Sequence, residues 1–383
     1  MTASNAKPKL LYLVTEDWYF LSHRLALARA ARDAGFEVVV ATRVSEHGEQ
    51  IAAEGFRLVP IKLRRRSHAP LGEAAALLEI IRLYRRERPD LVHHVALKPT
   101  LYGALAAAVT GTPAVVNALT GMGYVFISRD WKARAVRPVI RTCFRLLLDR
   151  PGSRLILQNP DDKRMLVKAG VIAPGRVAVI RGSGVDTSHF APAPEPAGPP
   201  VALLVSRMLW DKGIGEAVEA ARILRERGVP LRLVLAGAPD PENPASIPEA
   251  QLRRWNAEGV IEWKGHVDDV AAALRESHIA VLPSYREGLP KTLLEAAAAA
   301  RPIVASDVPG CREIARHGEN GLLVPAREVG PLADAIERLA GDAELRQRMG
   351  RRGREMVEEC FSEAAVAAQT LALYRDMLGL PPP

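Results

Sequence analysis

An α/β fold in two parallel-sheet domains is predicted by three features of this chain. Short β-branched runs alternate with helical patterns from end to end, as in sheets whose parallel strands are joined by helices. The 383 residues exceed what one ordinary core organises and suit two domains of roughly 190 each. Between the halves, residues 191–200 read APAPEPAGPP, which has no helix or strand prospects and is the expected linker.

In the first domain, residues 1–190, strands are expected at 10–15 (LLYLVT), 37–42 (EVVVAT), 57–61, 91–96 (LVHHVA), 114–119 (AVVNAL), 154–159 and 177–181. Helices fill the gaps: HRLALARAARDAG closes on Gly35, and LGEAAALLEIIRLYRRER stops before Pro89. In the second domain, residues 201–361, strands are expected at 201–206, 232–237, 260–265, 279–284, 302–307 and 321–325. The final stretch, FSEAAVAAQTLALYRDML, reads as an amphipathic helix, and 362–383 is expected to cross back to the first domain. Loops at the carboxyl ends of such strands are where ligands bind.

Composition narrows the class. With 48% hydrophobic and 25% charged residues the chain is an ordinary globular protein, and 5% aromatics make its core aliphatic. Cys143, Cys311 and Cys360 are too widely spaced for a zinc site or a disulfide framework, which points to the reducing cytoplasm. The apolar run LLYLV is too short for a signal peptide, and no window approaches the ~18 apolar residues of a membrane span. The expectation is a chain neither exported nor integral.

The net charge of +8 is unevenly spread: residues 1–190 hold 29 Lys and Arg against 16 Asp and Glu, and the remainder 23 against 28. The excess gathers in Arg64–Arg66, in Arg82, Arg85, Arg86 and Arg88, and between Arg129 and Arg154. Solvated helix faces would account for it. An anionic membrane surface would too, since each basic residue near it adds ~1 kcal/mol, and WKARAVRPVIRTCFRLLLDR mixes its arginines with apolar residues as an interfacial helix does. Nucleic acid is not expected, because no stacking platform or reader motif accompanies the charge.

The most informative segment is PSYREGLPKTLLEAAAAARPIVASDVPG, residues 283–310. A strand end, a glycine-bearing loop and a helix start offer backbone N–H groups and a positive dipole end to an anion. Pro290 suits a helix start and leaves Glu287 in the loop, with Glu295 inside the helix. Carboxylates accept hydrogen bonds only, which suits the diols of a sugar or ribose better than phosphate. The plainer reading is two solvated carboxylates stabilising a helix N-terminus. Yet Glu295 lies among leucines and alanines, and a buried carboxylate needs partners. Arg207 and Lys212, in SRMLWDKGIGEA after the first strand of the second domain, suit a diphosphate; the plainer reading pairs them with Asp211 or Glu216.

These residues carry a resemblance. SRMLWDKG, LAG at 235–237, KGHV at 264–267, the 283–310 segment with its Glu-x7-Glu spacing, and HGENGLLVP at 317–325 resemble, in order, the donor-binding domain of the retaining glycosyltransferases of family 4. GVDTSHF (184–190) is similar to that family's interdomain segment. The resemblance implies a GT-B fold, two Rossmann-like α/β/α domains facing each other across a cleft. It implies that Arg207 and Lys212 hold and neutralise the donor diphosphate, that Glu287 faces the donor sugar, and that Glu295 binds the ribose. The Gly288–Leu289 backbone would lie near the β-phosphate, with Gly265 and Val267 completing the donor site.

FLSHRLALA, HHVALKPTLYG and NALTGMGYVF resemble a subgroup acting on polyprenyl-diphosphate-linked glycans, N-acetylgalactosaminyltransferase-like. That implies acceptor-side candidates His23, His94, Lys98, Asn117, Thr120, Gly121 and Gly123, of which Lys98 would meet a phosphate. A lone strand histidine is more often a satisfied core residue, and the glycine-rich first loop of the family is here TEDWYFLSHR. Ala300-Arg301 stands where the family often has Cys-Gly.

The implied activity is a retaining transfer of a hexose or N-acetylhexosamine from a nucleotide-sugar, UDP-linked, to a lipid-linked or growing glycan. No cofactor is expected beyond the nucleotide-sugar co-substrate, and no metal, since the chain has no DxD. A sugar-nucleotide epimerase of the same fold and a non-catalytic sugar-nucleotide-binding subunit remain as alternatives. The expected place is the cytoplasm, peripheral on the inner face of the cell membrane.

Overall fold

A computed structural model describes residues 7–64, 70–119 and 131–381. The chain forms two compact units, one running to Ser183 and resuming at Val366, the other spanning Gly184–Ala365.

The first unit is built on seven strands: β1 (Lys9–Glu16), β2 (Glu37–Arg43), β3 (Arg57–Pro60), β4 (Leu91–Val95), β5 (Ala114–Leu119), β6 (Ser153–Leu157) and β7 (Val177–Val179). Their order is β3-β2-β1-β4-β5-β6-β7, with every pairing parallel. Because strand side chains alternate, Leu10, Tyr12 and Val14 pack on one face with Phe20, Leu27 and Phe36. Leu11 and Leu13 pack on the other with Ile80, Leu83 and Tyr84. Both faces are covered, which is why these strands read as continuous apolar runs.

Two expected helices differ in detail. HRLALARAARDAG holds the helix Leu25–Asp33, and a separate helix, Asp17–His23, precedes it across a break at Arg24. The earlier start is fixed by buried Asp17, whose carboxylate accepts from Ser45 and His47 backbone N–H groups at 2.6 and 3.1 Å. The helix Pro70–Glu87 ends as expected before Pro89, with Arg88 turned to φ 47°. The arginine-rich segment forms the helix Trp131–Leu148, with Val139 and Leu146 facing outward. The final helix, Glu363–Leu378, buries Val366, Ala367 and Tyr374 in the core of the first sheet.

The second unit holds β8 (Val201–Val205), β9 (Arg232–Ala236), β10 (Glu262–Trp263), β11 (Ile279–Leu282), β12 (Ile303–Ser306) and β13 (Gly321–Val324). Their order is β10-β9-β8-β11-β12-β13, again parallel throughout. Chain order reverses between β8 and β11, which opens a crevice beyond their carboxyl ends.

The Pro/Ala stretch is not a free linker. Glu195 takes a two-pronged ion pair from Arg346 at 2.9 and 2.7 Å, Arg301 reaches the Pro194 carbonyl at 3.3 Å, and His278 Nε2 lies 3.0 Å from the Pro196 carbonyl. Just before it, Val185 and Phe190 are buried in the second core. These contacts draw 184–200 into the second unit and put the boundary at Ser183/Gly184 rather than at residue 190.

Candidate active site

The loops after β8 and β11 meet at that crevice. After β8 the chain makes a short turn, Trp210–Lys212, closed by Gly213 at φ 72°. A Cβ there would come within 2.1 Å of the Pro283 carbonyl oxygen, so only glycine allows both the left-handed turn and the approach. The Tyr285 N–H donates to the Asp211 carbonyl at 2.9 Å, and the Lys212 ammonium then reaches Glu287 Oε1 at 2.5 Å.

Arg207 is held from the other side. Its Nη1 lies 2.5 Å from Asp240 Oδ2, in the loop after β9. That loop braces the backbone around Arg207: Met208 N–H donates to the Ala238 carbonyl at 3.0 Å, and Trp210 N–H to the Ala245 carbonyl at 2.8 Å. The partners expected from sequence proximity, Asp211 and Glu216, are therefore replaced by Glu287 and Asp240. Glu216 instead accepts from the Tyr285 hydroxyl at 2.6 Å, and the Arg327 guanidinium lies over the Tyr285 ring at 4.2 Å. Burial, then Glu216, pushes that phenol up to about 12.

Pro290 is the N-cap of the helix Lys291–Ala298, which leaves Glu287 in the loop as expected. Glu295 is buried, 8% exposed, with Lys291 Nζ at 3.8 Å one turn back. Burial raises its carboxyl above the ordinary value, against the opposing charges of Lys291 and His189. Leu289 is buried and Val267 packs against the same core. Gly265 turns at φ 70°, its carbonyl accepting from Gly237 N–H at 2.6 Å. Gly310 opens the next helix against the Glu287 and Gly288 carbonyls, where a Cβ would sit 2.6 Å away, so the loop bearing both residues has a fixed floor. Sequence reasoning missed Asp240 and Tyr285; each follows a strand end, the signal that marks Arg207 and Glu287.

The acceptor-side candidates are placed differently. His94 is fully buried, its Nε2 2.8 Å from the Tyr84 hydroxyl and its Nδ1 2.7 Å from Asn117 Oδ1. Asn117 in turn donates to Ser153 at 3.2 Å. Burial holds the His94 ring neutral, with its pKa down at about 4. The hydrogen bonds of both residues are thus made inside the core. Lys98 donates to Glu73 at 2.8 Å and to the Arg64 carbonyl at 2.7 Å. His23 stacks on Tyr19, ring centres 4.1 Å apart, with Ser22 Oγ 2.7 Å from its Nδ1. Thr120, Gly121 and Gly123 lie outside the described residues. Among the described residues no cluster of His, Cys, Asp or Glu is placed to hold a metal ion, and no helix is long and apolar enough to cross a membrane.

The fold matches solved structures. The Anabaena protein HepE, solved in complex with UDP and glucose, superposes with a TM-score of 0.77 at 18% identity, covering 96% of this chain and 100% of that one. Two parallel doubly wound sheets, the second with cations and carboxylates at its switch point, define a GT-B glycosyltransferase. "Glycosyl transferases group 1" describes residues 185–356, and "Glycosyl transferase 4-like" describes residues 9–157. An alpha-maltose-1-phosphate synthase of Mycolicibacterium smegmatis is 30% identical over 318 residues, 76% of this chain and 79% of that protein. The N,N'-diacetylbacillosaminyl-diphospho-undecaprenol alpha-1,3-N-acetylgalactosaminyltransferase of Campylobacter jejuni is 26% identical over 376 residues, 93% of this chain and 97% of that protein. The chain belongs to the group 1, family 4-like glycosyltransferases.

Proposed function

We propose that the protein transfers a hexose or N-acetylhexosamine, with retention, from a UDP-sugar to a polyprenyl-diphosphate-linked glycan at an anionic membrane surface. The observation that carries the donor half is the joining of the β8 and β11 loops through Lys212 and Glu287, beside the N-terminus of the helix Lys291–Ala298. A diphosphate there meets an ammonium, the Arg207 fork and a helix dipole. Glu287 and Glu295 supply acceptors for sugar and ribose hydroxyls. HepE binds UDP on the same fold, which supports the choice of base. The Campylobacter relative's undecaprenol-linked acceptor, over nearly the whole of both chains, supports the lipid-linked glycan.

In the proposed step the sugar C1–O bond to the β-phosphate breaks as the acceptor oxygen bonds to C1 from the same face. The acceptor proton passes to the departing phosphate oxygen. Arg207 and Lys212 hold the charge that develops on the leaving diphosphate, so no metal is needed in this reading. The alpha linkage in the relative's name accords with retention from an α-linked donor.

The test is UDP release by purified protein over a panel of UDP-sugars, with and without a polyprenyl-diphosphate glycan. Acceptor-dependent release with one donor establishes the reaction and names its sugar. An isomerised sugar nucleotide without acceptor would establish the epimerase instead, and tight donor binding with no turnover on any acceptor would leave a binding subunit.

A further inference from the structure

The loop after β13 carries an arginine in a glycine's conformation. Arg327 stands at φ 70°, in the left-handed region that a side chain occupies only under strain. Arg88 and Ala300 also have positive φ, 47° and 54°, but each follows the last turn of a helix, where a left-handed residue is the usual stop. Arg327 closes no helix: it lies between β13 and the helix Val329–Gly341. Glycine would hold this turn at ease, so the guanidinium itself has to be accounted for.

That guanidinium is exposed and makes no ion pair among the described residues; it lies over the Tyr285 ring at 4.2 Å. Arg207 and Lys212 are each held by a carboxylate at 2.5 Å. A ring face holds a cation more loosely and takes none of its hydrogen-bond donors, so the fork of Arg327 is left for an anion.

Tyr285 fixes where this charge stands. Its hydroxyl donates to Glu216, on the first turn of the helix Ile214–Glu226, at 2.6 Å, and its N–H to the Asp211 carbonyl at 2.9 Å. Glu287 is two residues further along the same loop. The loops after β8, β11 and β13 are thereby joined at Tyr285, and Arg327 is held at the carboxyl edge of the sheet that carries the Lys212–Glu287 pair. Glu216, the carboxylate that could have neutralised it, is spent on the phenol.

We propose that Arg327 is a third cation of the donor site, binding a phosphate oxygen of the nucleotide-sugar, and that Tyr285 is its positioning residue. The inference rests on the donor reading above and adds to it a residue that no ion pair of the empty site reveals. On binding, the fork exchanges the ring face for the phosphate, which offers it charge and acceptors together.

The test is calorimetric titration of the full chain with UDP. Arg327→Gly removes the cation and the backbone strain together, so its unfolding midpoint should stay within about 2 °C of the parent's. UDP should nevertheless bind it about tenfold more weakly, with a shallower dependence on salt. Arg327→Lys keeps the charge without the fork and should recover part of the loss. Tyr285→Leu should weaken UDP severalfold in the parent and add little in the Arg327→Gly chain, because the ring acts through the arginine. Additive losses would overturn the positioning role. Arg207→Ala reports on the donor site itself. If it weakens UDP binding and Arg327→Gly does not, Arg327 only covers the ring and this inference falls alone. If the parent binds no UDP, the donor reading falls and takes this inference with it.

Discussion

Lys212 and Glu287, 75 residues apart, are joined by an ion pair of 2.5 Å that ties the loop after β8 to the loop after β11. In this state the cation expected to hold a diphosphate is neutralised by the carboxylate expected to face the sugar. A donor would therefore exchange partners at the site: phosphate takes the ammonium, and Glu287 is released to hydroxyl groups.

The pair is mostly buried, 21% and 11% exposed, so removing one partner strands the other charge. Lys212→Met should lower stability by roughly 1–3 kcal/mol, less than for a fully enclosed pair. Adding Glu287→Gln should return most of that loss. Denaturant unfolding of both variants checks it, and a Lys212→Met protein as stable as its parent would contradict the pairing.

Arg207→Ala should lose roughly 10²–10³ in turnover, the effect of deleting one preorganised charge donor. Asp240 touches Arg207 through a single guanidinium nitrogen, leaving others for the donor. Asp240→Asn should thus lower kcat about tenfold with little change in unfolding midpoint, because the arginine is then less well aimed. If kcat is unchanged, Asp240 only tethers its loop.

Burial raises the Glu295 carboxyl, so just above the ordinary value the folded chain keeps a proton that the unfolded chain has released, before it too ionises at higher pH. Stability then falls as pH rises above the ordinary carboxylate value of 4.5. Glu295→Gln should be the more stable protein near neutral pH, with the difference closing below about pH 4. It should also bind UDP about tenfold more weakly, since a charged acceptor is lost. Thermal melts across pH, with UDP titrations, separate the two effects.

His94 has the opposite linkage. Its folded pKa is about 4 against an ordinary 6.5, so the unfolded chain takes up the proton first. The stability it contributes is whole above pH 6.5 and is lost as pH falls towards 4. His94→Ala should cost about 2–4 kcal/mol at neutral pH through a cavity and the unpaired Asn117 and Tyr84 groups. The acid loss should become shallower, and the acceptor KM of the folded fraction should stay within about twofold. A large rise in acceptor KM would return His94 to the substrate side.

Much of this was legible in the chain. Every strand of both sheets overlaps a run expected from the sequence, most plainly the central strands, which are buried on both faces; the edge strands β3 and β10 are only partly buried. Pro290 placed Glu287 in a loop and Glu295 in a helix through local backbone rules alone. The partners of Arg207 and Lys212 were not legible. Nearby Asp211 and Glu216 were as plausible in charge, and the choice of Asp240 and Glu287 depends on which loops the strand order makes adjacent. His93 and His94 alternate across the sheet, but that His94 meets Tyr84 and Asn117 required two further elements to be in place.

Local chemistry, then, carries the elements of this protein, the loop glycines and the choice of Arg207, Lys212, Glu287 and Glu295 as donor-site candidates, because each depends on side chains within a few positions of one another. Packing assigns the 184–200 segment to the second unit through Arg301, Arg346 and His278, and brings Tyr374 to the first sheet. It also pairs Lys98 with Glu73, 25 residues away in the chain. Pairing energy between charges falls with distance through space, and distance through space between remote residues is set only when the sheets have closed.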